Sequence, residues 1–385
     1  MGDSLSILYV NPAKKLRTEI DTLSSIFARA AEVTVFTPMD REDQIEEKPH
    51  VEYNYYKARY IPGIRYTLPT IQFIRKLYYQ IKKADLVHVG SYFYPVCSIA
   101  LSEAARTGTP SVLTVDSLPG VNWTSGNSFV DIIGRIYTTT FGRATFAAAD
   151  RIVALGDYLD SPLAAYAGST TRKVIPNGID TDYFSPKDSE RTDRDTCAAE
   201  NDNESTMTKL LFVGRLDPVK GLPILFESIS ILNNCSDTYR LTVVGDGTKR
   251  AEYEQQCEDL GISGNVFFEG YQSNVRRYYR ENDILVLSSL SEGQPTVLME
   301  AQACGTPVVT TDVGGAATLV GAGDIAPPND PEALAHVIKN LDHNSPTLCS
   351  QARSHIVENY SHAQMVSSYC SLYNQLLDFE LTLNL

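Results

Sequence analysis

The chain has 385 residues, 43% hydrophobic and 21% charged, a balance that suits a soluble globular protein of two domains rather than one core. A net charge of −14 argues against a general nucleic-acid binder, and no apolar run reaches the roughly 18 residues of a membrane span. Cysteines at 97, 197, 235, 257, 304, 349 and 370 show neither metal nor disulfide spacing and read as reduced thiols in a cytoplasm; the scattered histidines form no ligand set.

The acidic start runs directly into a strand at 7–10, which does not read as a secretory signal. A turn, Asn11-Pro12-Ala13-Lys14-Lys15-Leu16, leads to a helix over about 16–30 and a strand at 33–36. From Tyr53 to Ala84 come seven basic residues (Lys57, Arg59, Arg65, Arg75, Lys76, Lys82, Lys83), seven tyrosines and Phe73, with no acid. Residues 70–83 have helical periodicity, with Ile71, Ile74, Tyr78 and Ile81 on one face. Two readings stand: the basic groups form a solvated face, or they meet an anionic membrane surface with aromatics at the interface. Further strands at 86–89, 112–115 and 151–154 are nearly continuous apolar runs, as in a parallel sheet covered on both faces. Helical stretches between them fit a doubly wound α/β domain.

Asp116 ends the 112–115 strand, where α/β folds place their sites; it reads either as a turn cap or as a functional carboxylate. Asp180-Thr181-Asp182 has the form of a metal-binding Asp-x-Asp, but it follows Pro176-Asn177-Gly178, a turn signal, so no metal is expected. Residues 187–208 read as a polar linker or insertion, since ten of the 22 are charged and Met207 is the one large apolar residue. A second sheet starts at Leu210. Arg215 and Lys220 then bracket a strand-to-helix turn, as a surface pair or as cations for a diphosphate leaving group. The end of the chain is helical in pattern, with Met365, Tyr369, Leu372 and Leu376 in register.

The run from Ser291 to Val309 says most about chemistry. A polar loop, Glu292-Gly293-Gln294-Pro295, meets a helix starting at about Pro295, with Gly305 at its end and a strand after Pro307. Free amides of the first turn, from Gly293 to Val297, form a site for a phosphate-like anion. Glu292 lies just before them, and Glu300 projects from the second turn. Carboxylates repel phosphate but accept hydrogen bonds from a diol, so the run suggests a nucleotide-sugar site.

This stretch resembles the retaining glycosyltransferases of family 4: a Glu, seven residues, a second Glu, then Ala, a small residue and Cys-Gly-Thr-Pro-Val-Val, departing at Gln302, where the family often has Met. Phe212-Val213-Gly214-Arg215-Leu216-Asp217-Pro218-Val219-Lys220-Gly221, Val244-Gly245-Asp246-Gly247, Val266–Tyr271, Asp283–Ser289 and Pro176–Asp180 continue the resemblance in order, densely over 174–340 and loosely before that. It implies a GT-B fold, two Rossmann-like doubly wound parallel-sheet domains facing across a cleft. The expected organisation is an acceptor-binding domain at 1–186, the linker at 187–208, a donor-binding domain at 209–360 and a helix at 361–385 crossing back to the first domain.

The implied activity is a retaining, metal-independent hexosyltransferase. It would use a nucleotide-diphosphate sugar as co-substrate, with no cofactor, and a lipid-linked or polymeric glycan as acceptor, at the cytoplasmic face of the membrane. The resemblance assigns Gly214, Arg215 and Lys220 to the diphosphate and Glu300 to the ribose. Glu292 and the loop Gly293, Gln294, Pro295, Thr296 fall to the sugar and phosphate, and Tyr271 to the base or to packing. The family's Gly-rich turn after the first strand is absent at 11–16, and Asp116 stands where relatives often carry a His. A non-hydrolysing nucleotide-sugar epimerase and a silent partner subunit are the alternatives; the former needs a cleft acid/base set, and the latter would lose donor residues.

Overall fold

The computed structural model describes residues 5–12, 16–38, 47–56, 59–60, 67–122, 124, 128–187, 207–234 and 238–377. Residues 13–15 of the first turn, Lys57, the Arg59 side chain, Arg65, residues 188–206 of the polar segment, Cys197 and Cys235 lie outside the described residues. The chain divides into two compact units, Met1–Gly178 with His362–Leu385, and Ile179–Ser361.

In the first unit seven parallel strands form one sheet: β1 (Ser6–Val10), β2 (Glu32–Pro38), β3 (Val51–Tyr56), β6 (Leu86–Val89), β7 (Ser111–Val115), β8 (Arg151–Ala154) and β9 (Thr171–Val174). Their order is β3-β2-β1-β6-β7-β8-β9, so the chain switches direction between β1 and β6. A short antiparallel ribbon, β4 (Arg59–Tyr60) with β5 (Thr67–Leu68), intervenes in sequence. Because successive strand residues point to opposite faces, Leu8 and Val10 enter one core and Ile7 and Tyr9 the other. The second of these cores is closed by the helix His362–Leu377, which buries Met365, Val366, Tyr369, Leu372 and Tyr373. Buried polar groups there satisfy one another: His88 Nδ1 meets Tyr373 Oη at 2.6 Å and His88 Nε2 meets Thr114 Oγ1 at 2.7 Å. Burial lowers the His88 pKa to about 3, so the ring is neutral.

The structure alters three expectations. The first unit ends at Gly178, not 186, because the following segment is tied into the second unit: Arg353 donates to the carbonyls of Phe184 and Thr181, and Arg280 to that of Ser185. The start of the basic, aromatic stretch is the edge strand β3, with Tyr56 buried against Phe73. The helix Ile71–Lys83 buries Phe73, Leu77 and Ile81; of the expected face Ile81 is buried and Ile74 partly so, but Ile71 is exposed and Tyr78 sits beneath Lys82 and Arg106. Spacing of four residues outweighs the i, i+3, i+7 set because Phe73 and Leu77 fill the space beside Phe36 and Tyr56.

The second unit holds six parallel strands, β10 (Thr208–Val213), β11 (Tyr239–Val244), β12 (Val266–Gly270), β13 (Ile284–Leu287), β14 (Val308–Thr311) and β15 (Gly323–Ala326), ordered β12-β11-β10-β13-β14-β15. The chain runs outward one way from β10 and the other way from β13. That leaves a topological switch point between them, where open α/β sheets bind ligands beyond the strand carboxyl ends.

Candidate active site

Lys220 and Glu292 are 72 residues apart in sequence and meet at that switch point. Lys220 closes a 3₁₀ turn (Pro218–Lys220) after β10, and Glu292 lies in the middle of the loop after β13. The Lys220 ammonium donates to Glu292 Oε1 at 2.6 Å, and the Ser289 hydroxyl donates to the same oxygen at 2.6 Å. Both side chains are largely buried, 18% and 10% exposed. An ammonium has three donors, so this bond fixes the lysine's direction and leaves donor capacity for an anion.

The backbone forces the approach. Gly221 has φ +64°, and a Cβ there would lie 2.0 Å from the Ser288 carbonyl oxygen. Gly314, at φ +53°, packs as closely against the Glu292 carbonyl, where a Cβ would lie 1.9 Å away. The Ser288 hydroxyl and the Leu290 amide bond the Lys220 and Val219 carbonyls, stitching the two loops together.

The other expected donor residues lie elsewhere in the same unit. The helix begins at Thr296, with Pro295 at its N-cap, and runs to Ala303; Gly305 takes φ +81° just beyond its end. Glu300 on its second turn accepts from the buried Tyr279 hydroxyl at 2.7 Å and also bonds Thr296; burial raises its pKa above the usual carboxylate value. Gly293 accepts from Gly315, which anchors the loop, and the Gln294 side chain lies near the Met299 sulfur. Gly214 bonds back to Val244 beside Arg215, whose guanidinium is 64% exposed and pairs with Asp217 at 2.6 Å. Tyr271, just past β12, is 78% exposed and stands two strands from the switch point.

Sequence reasoning missed Ser289 and Tyr279. Ser289 sits three residues before Glu292, a short-range signal; the Tyr279 contact depends on the helix Arg276–Glu281 lying beside Thr296–Ala303 and has no local signature. Asp180 accepts from the amides of Asp182 and Tyr183, so this carboxylate caps its own turn.

Gln302, the departure from the motif, is fully buried with every polar group satisfied. Its amide donates to the Leu298 and Leu319 carbonyls, and its oxygen accepts from the Gly321 and Ala322 amides. Gln302→Met keeps the volume but orphans buried backbone groups, so it should destabilise the second unit by about 2 kcal/mol with kcat unchanged. A thermal melt checks this, and an unshifted transition would show that the bonds contribute nothing.

In the first unit Asp116 follows β7 and is not a turn cap. Its carboxylate meets Arg17 Nη2 at 2.9 Å, while Arg17 Nε bonds Glu19 and the Arg17 amide bonds Asn11. Burial works against the guanidinium's charge, but Asp116 and Glu19 together hold its pKa well above the usual value. Arg17, absent from the sequence-based set, thus joins the loop after β1 to the loop after β7.

The sequence pattern of the glycosyl transferases group 1 family matches residues 193–360, and that of glycosyltransferase family 4 matches residues 20–183. A D-inositol 3-phosphate glycosyltransferase of Acidothermus cellulolyticus is 31% identical over 67% of this chain and 59% of its own length. The putative glycosyltransferase EpsF of Bacillus subtilis is 28% identical over 66% of this chain and 64% of its own. The matched part thus spans less than two thirds of either relative. Among solved structures, sucrose-phosphate synthase from Thermosynechococcus elongatus has TM-score 0.74 at 21% identity, covering 97% of this chain and 99% of that one. Anabaena Alr3699/HepE in complex with UDP has TM-score 0.75 at 18% identity, covering 97% and 100%. Two Rossmann-like parallel-sheet domains with these neighbours have the GT-B fold. The two family matches together cover most of the chain, which belongs to the glycosyltransferases of family 4 and group 1.

Proposed function

We propose that the protein transfers a hexose from a nucleotide-diphosphate donor, with retention of configuration, to a lipid-linked or polymeric glycan. The observation that carries this reading is the Lys220–Glu292 pair at the β10/β13 switch point. Lys220 and Arg215 face the diphosphate and stabilise the negative charge it gains as the sugar C1–O bond breaks. Glu292 and Ser289 aim Lys220, and Glu300, held by Tyr279, accepts from the ribose diol. The acceptor hydroxyl forms the new C1–O bond on the face the phosphate leaves, and its proton passes to a departing phosphate oxygen. Asp116, fixed by Arg17, is a positioning group for a sugar hydroxyl. Complexes of HepE with UDP and with UDP-glucose support the donor class.

In this reading the protein works in the cytoplasm. The exposed Arg75, Lys76, Lys82 and Lys83 support peripheral contact with an anionic membrane through 53–84. Among the described residues no helix is long and apolar enough to cross a membrane.

Incubation with a panel of nucleotide sugars, following nucleotide release and sugar transfer, tests the function. Epimerised donor without transfer would identify an epimerase, and inertness with every donor a silent subunit. Activity should persist in EDTA, because Arg215 and Lys220 supply the positive charge; complete loss restored by a divalent ion would overturn the metal-independent reading.

A further inference from the structure

The helix Ser128–Tyr137 runs on through a wider turn, Thr138–Gly142, into Arg143–Ala148. It carries apolar residues at 129, 132, 133 and 136, the i, i+3, i+4, i+7 stripe that normally faces a core. Here the stripe faces outward. Ile132 is 58% exposed, Ile133 48%, Ile136 57% and Phe141, one turn on, 68%. The small and polar side packs inward: Gly134 lies against Pro119, where a Cβ would come within 2.9 Å, and Thr138 bonds the Tyr92 hydroxyl at 2.8 Å. Arg135 reaches back to the Gly120 carbonyl at 2.8 Å. These contacts fix the helix with its apolar side to solvent, and exposing that much apolar surface on one rigid helix signals a binding face.

The charge around it selects the partner. Helices Ile71–Lys83, Pro95–Thr107 and Arg143–Ala148 cover the same side of the first sheet and share one core. Across 71–83, 95–107 and 128–148 the basic residues are Arg75, Lys76, Lys82, Lys83, Arg106, Arg135 and Arg143, against the acids Glu103 and Asp131. Seven minus two is +5, in a chain of net charge −14. A second copy of this face would meet like charge, whereas an anionic bilayer offers opposite charge and an apolar interior.

We infer that the 128–141 helix is an interfacial anchor that lays Ile132, Ile133, Ile136 and Phe141 into the headgroup boundary of an anionic membrane, beside the basic helices. This deepens the peripheral reading given above by supplying an apolar contact that Ile71–Lys83 cannot, since that helix spends its apolar face on the core. It is independent of the donor site.

The test is cosedimentation with phosphatidylglycerol–phosphatidylcholine vesicles and with phosphatidylcholine vesicles, at low salt and at about 0.5 M salt, where exposed charges are screened. Wild type should bind the anionic vesicles and keep part of that binding at high salt. Ile132→Ser with Ile133→Ser, Ile136→Ser and Phe141→Ser should lose at least tenfold at both salts, with thermal melt and nucleotide-sugar hydrolysis unchanged. Arg75→Glu with Lys76→Glu should bring low-salt binding down towards the high-salt level and leave that salt-resistant part in place. Wild type that ignores anionic vesicles overturns the inference. So does a serine variant that binds as wild type, which leaves the basic face alone responsible. Wild type that self-associates through this helix without binding vesicles makes the face a contact between copies, and overturns it too.

Discussion

Lys220→Ala is expected to lower kcat/KM by on the order of 100-fold, because the lost charge interacts most strongly with the leaving diphosphate in the transition state. Lys220 is not simply exposed, so its removal also leaves Glu292 buried beside Ser289 alone, and the second unit should lose some stability. Glu292→Gln separates the roles. If Glu292 acts by aiming Lys220, its loss should fall mainly on kcat, and the double variant should be little worse than Lys220→Ala, since groups that act as a unit are non-additive. Arg215→Ala, on an exposed side chain paired with Asp217, should cost less, about tenfold. Steady-state kinetics on the four proteins decides the matter, and near-wild-type turnover in Lys220→Ala would remove it from the donor site.

Gly221→Ala should be the most damaging single substitution outside the charged set. The left-handed φ disfavours any side chain, and the added carbon collides with the Ser288 carbonyl, so the backbone there must move. We expect destabilisation of about 3 kcal/mol. The 288–292 loop should also shift enough to part Glu292 from Lys220 and cut activity at least as far as Lys220→Ala. Denaturant unfolding together with kinetics reads both effects; a stable, active Gly221→Ala would mean that the loops separate freely.

How legible the site was depends on how local each feature is. The helix at Thr296, the second-turn Glu300 and the Gly305 cap follow from capping rules within a dozen residues and were readable. The Lys220–Glu292 bond was not, since it exists only because β10 and β13 are neighbours, and the sequence of β13 does not say which strand it will lie against. Arg17 escaped for a similar reason. It has no motif, and its partner Asp116 arrives through β7, with β6 lying between β1 and β7. Strand β3 hid inside a stretch conspicuous for its charges, because Val51-Glu52-Tyr53-Asn54-Tyr55-Tyr56 alternates as an edge strand does. The stripe at 129–136 has the spacing of a core face, and only its surroundings show that it points away from one.

The helix His362–Leu377 comes after the whole second unit in sequence yet completes the first. A ribosome adds about 5–20 residues per second. The surface bearing Ile7, Tyr9 and His88 therefore waits roughly ten to forty seconds, while the second unit emerges, for Tyr369 and Tyr373 to cover it. During synthesis the second unit has every strand it needs before the first has its lid. The core that holds the oldest strand of the chain is therefore the last to be completed.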